Sequence, residues 1–187
     1  MKKTTIGAAI FAVGLSMVSS SAFAEWGAKV EDDAFSDSKN ATMVGASEQS
    51  AGAERAIIFE CSSDNLSVAY AEEKSKPTDD ISGIPFELIF RVDSNAAIKL
   101  RGEGANRNKD YLQIVNKDAN EIKQLLAQLK QSKRRLLVGV RSKINDVKWS
   151  FSIGATGSTN SVNTFVKACG IELPDASAST ATSAKKA

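Results

Sequence analysis

The 187-residue chain contains no histidine, two cysteines, three prolines and few aromatic residues. Without histidine, Ser-His-Asp and Cys-His catalytic groups are excluded, and so is the commonest transition-metal ligand. Two cysteines cannot supply a four-ligand zinc site. Neither a metal nor a cofactor is therefore expected. After the N-terminal segment there is no apolar run long enough to span a bilayer, so no integral membrane span is expected once that segment is removed. An excess of one charge sign is also lacking. Lys2 and Lys3 account for two of the 24 basic residues; the remainder of the chain then carries 22 basic against 22 acidic residues. That balance gives no general support to a nucleic-acid partner.

What is present begins with a leader. Lys2 and Lys3 precede an apolar stretch, Ile6 to Val18, and Ala22-Phe23-Ala24 reads as an A-x-A cleavage site. Residues 1–24 are expected to be a cleaved signal peptide, the alternative being an uncleaved anchor. No cysteine stands at the cleavage site and no Arg-Arg pair precedes the apolar stretch. The expectation is a bacterial protein exported unfolded, periplasmic or secreted. In an oxidising compartment Cys61 and Cys169 have only each other to pair with. A redox-active pair is the rival, but such pairs usually sit as C-x-x-C. The chain divides into 1–24, a single disulfide-stapled β-rich domain over 25–173, and an Ala/Ser/Thr/Lys tail over 174–187 expected to be disordered.

Within the domain, period-2 alternation marks strands. Phe86, Leu88 and Phe90 alternate with polar or flanking residues, and Val147, Trp149, Phe151 and Ile153 alternate with Lys148, Ser150 and Ser152. Further strands are expected around 41–47, 57–61, 66–70, 98–101, 111–115 and 136–141. Residues 102–110, polar and holding Gly102 and Gly104, read as a loop. Two helices follow the 3.6 period. Asp118 to Gln131 places Ile122, Leu125, Leu126 and Leu129 on one face with Asp118 at the cap, and Thr159 to Cys169 does the same with Val162, Phe165, Val166 and Cys169. Ser158 or Thr159 is the expected N-cap of the second helix and Gly170 its left-handed terminator. The fold class is mainly β (α+β): an antiparallel β-sandwich or curved sheet of about seven strands with two amphipathic helices.

Little in the chain suggests catalysis. The carboxylate pairs Asp32-Asp33, Glu72-Glu73 and Asp79-Asp80 have no spacing that would set them across a sugar. The turn from Gly154 to Ser158 lacks the lysine of a phosphate-binding loop. The chain is therefore expected not to be an enzyme. Charge is locally uneven: Lys130, Lys133, Arg134, Arg135, Arg141, Lys143 and Lys148 crowd one stretch, with Asp146 the acid among the last of them. Together with the polar loop at 102–110, this stretch supplies the candidate partner-binding residues Arg107, Lys109, Arg134, Arg135 and Arg141.

A tryptophan just after the leader (Trp26) is followed by an apolar strand ending in cysteine, Ile58-Phe59-Glu60-Cys61. Phe90-Arg91-Val92-Asp93, the helix from Ile122 to Leu129, and Phe151 come next. Gly154 then leads to a helix closed by Cys169. In this order the chain resembles small exported bacterial proteins of the invasion-associated locus B type and the periplasmic accessory proteins of type VI secretion clusters. It departs from them at Asp32-Asp33, where such proteins commonly have Asp-Pro, and at Glu60, where they have arginine. The resemblance implies an envelope β-sandwich that binds an envelope protein or a cell-wall component, with no active site to carry over. The alternative function is inhibition of a secreted hydrolase such as lysozyme.

Overall fold

The structure, a computed structural model, describes residues 25–32, 39–47, 54–62 and 65–175. The leader and the tail beyond residue 175 lie outside the described residues, as does Asp33. The described residues form nine strands and two helices. The strands are β1 (Trp26–Asp32), β2 (Lys39–Ala46), β3 (Arg55–Ser62), β4 (Asn65–Glu73), β5 (Pro85–Val92), β6 (Ile98–Asn106), β7 (Tyr111–Asn116), β8 (Arg135–Ser142) and β9 (Lys148–Gly154). Helix α1 is Ala119–Lys130 and α2 is Ser158–Ala168.

All nine strands belong to one antiparallel sheet in the order β1-β2-β3-β4-β7-β6-β5-β8-β9. Of the two expected architectures it is the curved sheet, not the sandwich. The sheet curls far enough for its ends to meet at one corner. The Trp26 N–H donates to the Thr156 carbonyl at 3.1 Å, and its indole N–H donates to the Gly154 carbonyl at 2.7 Å. The curl also brings β4 against β9, where Tyr70 meets Trp149 and Phe151 with ring centroids 6.2 and 5.7 Å apart.

Alternation explains which face turns inward. Leu88, Phe90 and Val92 of β5, Leu136, Val138 and Val140 of β8, and Ile57 and Phe59 of β3 are buried on the inner face. The apolar stripes of both helices fill the curl: Ile122, Leu125, Leu126 and Leu129 from α1, Val162 and Phe165 from α2. Removing each such side chain from water stabilises by about 1.5–3 kcal/mol. Beside this aromatic cluster a polar chain closes the interior. Arg55 donates to Glu72 at 2.8 Å, Tyr70 donates to the other Glu72 oxygen at 2.5 Å, and Trp149 donates to Tyr70.

The helix termini follow from local chemistry. Asp118 caps α1, accepting from the N–H groups of Asn120 and Glu121 at 3.0 and 3.2 Å. Gly170 has φ +61°, and the Ile171 N–H closes on the Val166 carbonyl at 2.9 Å, the six-to-one bond of a Schellman end. The start of α2 differs from expectation. Its cap is Gly157, left-handed at φ +87°, with no side-chain cap bond. Ser158 is buried as the first helical residue, and Thr159 instead donates to the Lys130 carbonyl at the end of α1, at 2.9 Å.

Two strand assignments also differ. Residues 26–32 form β1 because Trp26, Ala28 and Val30 face inward in alternation with Gly27, Lys29 and Glu31. Residues 102–106 extend β6 rather than forming a loop. A side chain at Gly104 would collide with the Ile81 carbonyl, so that glycine admits the connection between β4 and β5 against the strand. The expected bridge is present: Cys61 at the end of β3 and Cys169 at the end of α2 form a disulfide with Cα atoms 6.2 Å apart.

Candidate binding surface

Outward positions of the sheet follow the same alternation read one residue over. On the half built from β6, β5, β8 and β9, registered pairs set Arg101 beside Glu87, Glu87 beside Arg141, and Arg141 beside Lys148. The next outward row runs Lys99, Ile89, Gly139, Ser150, and the one after it includes Arg91, Leu137 and Ser152. Arg135 begins β8 on the same face. This half therefore presents Arg91, Lys99, Arg101, Arg135, Arg141 and Lys148, all exposed. Its outward carboxylates are Glu87 and Glu103. Glu87 is engaged by Lys143 at 3.1 Å, and Arg141 pairs with Asp146 in the β8–β9 turn. A shallow hollow of about 390 Å³ lies beside Arg141 and Lys148, walled in part by Ile89 and Gly139.

The candidate residues do not form one cluster. Arg135 and Arg141 share the outer face of β8 but are separated along it by about 20 Å, at roughly 3.3 Å per residue. Arg134 and Arg135 lie at the other end of the sheet from the β6–β7 hairpin that carries Arg107 and Lys109. The backbone before β8 is tied to Asp93, which is left-handed at φ +50°. Its carboxylate accepts from the N–H groups of Lys133, Arg134 and Arg135 at 2.8, 3.0 and 2.9 Å. Partial burial alone would raise the Asp93 pKa, but these three donors outweigh it and hold the carboxyl below its ordinary range.

Arg107 is an ordered clamp. Its guanidinium donates to Glu60 at 2.7 Å and to Gln113 at 3.0 Å. Glu60 registers with Ser67, and Gln113 registers with Ala71, so an arginine bonding both crosses the Ala69–Ala71 stretch of β4. Its partners Glu60 and Gln113 line an open groove of about 1120 Å³ over the β2 to β6 part of the outer face. Lys109, at the hairpin tip, is exposed and pairs with Asp110 at 3.3 Å.

The two fully described carboxylate pairs, Glu72-Glu73 and Asp79-Asp80, do not face each other across a cleft. Glu72 and Glu73 point to opposite faces of β4. Asp79 accepts from the Lys76 N–H, and Asp80 accepts from Ser82 and Asn106, as residues that organise turns do. Among the described residues no group of three or more His, Cys, Asp or Glu side chains could hold a metal ion, and no helix is long and apolar enough to cross a membrane.

Sequence reasoning did not select Arg91, Lys99 or Arg101. Each stands at an outward position of an alternating strand. Their meeting with Arg141 and Lys148 depends on β5 pairing with both β6 and β8, and no local pattern encodes that pairing. No protein-family model matches the chain, and neither a curated protein nor a solved structure matches it.

Proposed function

We propose that the protein is an exported, non-catalytic binding or accessory module of the bacterial envelope, and that it docks an acidic protein surface against the outer face of β5, β6, β8 and β9. One observation carries this reading. In a chain whose charges nearly balance, six exposed cations and two carboxylates share that half-face. Such a field steers an acidic partner and fixes its register. The hollow beside Ile89 and Gly139 offers a small apolar seat next to Arg141 and Lys148. The disulfide is compatible with an oxidising compartment. The resemblance to exported envelope proteins supports the same placement.

The test is crosslinking of tagged protein in the intact envelope, comparing the native chain with Arg91→Glu/Arg135→Glu. Both residues are exposed, so the melting temperature should be unchanged. One dominant protein partner, lost in the double variant and held less well at high salt, is the expected result. Equal crosslinking of the variant would sink the outer-face assignment. Recovery of cell-wall fragments alone would overturn the protein-partner reading.

A further inference from the structure

At the disulfide end of the domain the chain brings together four lysines from four different segments. Lys39 begins β2, Lys117 follows β7, Lys123 lies on α1 and Lys167 on the last turn of α2. They line an open cleft of about 670 Å³ whose wall includes Cys61 and Cys169. Among the described residues, no carboxylate lines it. Lys39 reaches Asp32 at 3.3 Å across an exposed pair, and Lys117, Lys123 and Lys167 make no ion pair among the described residues.

Four ammonium groups around one cleft, with no carboxylate in its described lining, gain most from an anion bound among them. The N-terminus of α1 is not the attractor, because Asp118 already takes the N–H groups of Asn120 and Glu121. The lysines themselves supply the field. All four are lysine, a compact point charge with three rotatable donors, rather than arginine, whose planar fork suits bidentate carboxylates. The cleft is larger than a single phosphate needs, so it suits a ligand bearing more than one phosphoryl oxyanion. The disulfide has a positional role here: it fixes the end of α2, and with it Lys167, against the end of β3.

We infer that this cleft is a binding site for a phosphate-bearing ligand, distinct from the outer-face cations and independent of the protein-docking reading. A free oligophosphate and an anionic lipid headgroup share this chemistry. The experiment titrates the folded, oxidised protein with tripolyphosphate by calorimetry at low salt. In parallel it measures sedimentation with neutral vesicles and with vesicles containing phosphatidic acid. Saturable binding in either arm is expected, and the arm that responds identifies the source. Lys123→Gln/Lys167→Gln should weaken that binding at least tenfold without changing the melting temperature, and Arg91→Glu/Arg135→Glu should leave it within twofold. Reduction of the disulfide should weaken it as well. Absence of binding in both arms overturns the inference, as does equal binding by the Lys123→Gln/Lys167→Gln variant. Loss of binding in the outer-face variant instead would place the anion site on the other surface and also overturn it.

Discussion

The indole N–H of Trp149 donates to the hydroxyl of Tyr70 at 3.0 Å, joining residues 79 positions apart across the inside of the curl. Tyr70 passes its own proton toward Glu72, which in turn holds Arg55. The bond therefore links the edge strand β9 to β4 and β3 through a partly buried polar relay. Such a relay is stable only while each member is satisfied.

Replacing Tyr70 by phenylalanine strands the Trp149 N–H and removes a donor from Glu72. The expected loss is about 1–3 kcal/mol, read from urea unfolding. A variant as stable as the native protein would show that water replaces the hydroxyl at no cost.

The same tyrosine predicts a dependence on alkaline pH. Burial, then the adjacent Glu72 carboxylate, raises its pKa well above the ordinary 10.0. The unfolded chain thus gives up this proton first. The stability that Tyr70 contributes is complete below about pH 10 and drains away as pH climbs toward the folded value. Unfolding free energy should fall above pH 10 in the native protein and fall less steeply in Tyr70→Phe. Identical slopes would refute the assignment.

Asp93 predicts the opposite limb. Its carboxyl titrates lower in the fold than in the unfolded chain. Its contribution is therefore present above the unfolded carboxylate range and is lost as pH falls through the folded value. Asp93→Asn should narrow the stability difference between neutral and acid pH. Chemical denaturation at both pH values measures it, and an unchanged difference would argue against the anchor.

Trp26 lies over Gly45, its registered partner on β2, so that a Cβ there would come within 2.6 Å of the indole. Gly45→Ala should displace the ring, weaken its bond to the Gly154 carbonyl and cost about 1–3 kcal/mol, as overpacked cores do. Tryptophan emission should shift to longer wavelength. An unshifted spectrum and an unchanged melting temperature would contradict the packing described.

Reducing the Cys61–Cys169 bridge opens a loop of sequence separation 108. On loop-entropy grounds this costs about 4–5 kcal/mol. Urea unfolding with and without reductant tests the cost. Alkylation of both thiols before reduction would refute the bridge itself.

Much of this architecture was legible because burial is periodic. Ile122, Leu125, Leu126 and Leu129 marked the inner face of α1, and Phe151 with Ile153 marked that of β9. Gly102 and Gly104 misled, because glycine that signals a turn also permits a strand to be approached closely. Pairing order was beyond reach: β4 joins β7, and β5 joins β8, through contacts that no short window contains. The lysine cleft is the same problem in another form, since Lys39, Lys117, Lys123 and Lys167 are scattered in sequence and meet only when the ends of β3 and α2 are fixed together.

That junction also changes what kind of object the chain is. In covalent terms the oxidised protein is a ring from 61 to 169 with an arm at each end, and the ring includes the exposed connection between β4 and β5. A protease that severed this connection would linearise the ring without producing two molecules. The nicked protein would keep its mass but for one added water, and its halves would still be matched along the β4–β7 ladder.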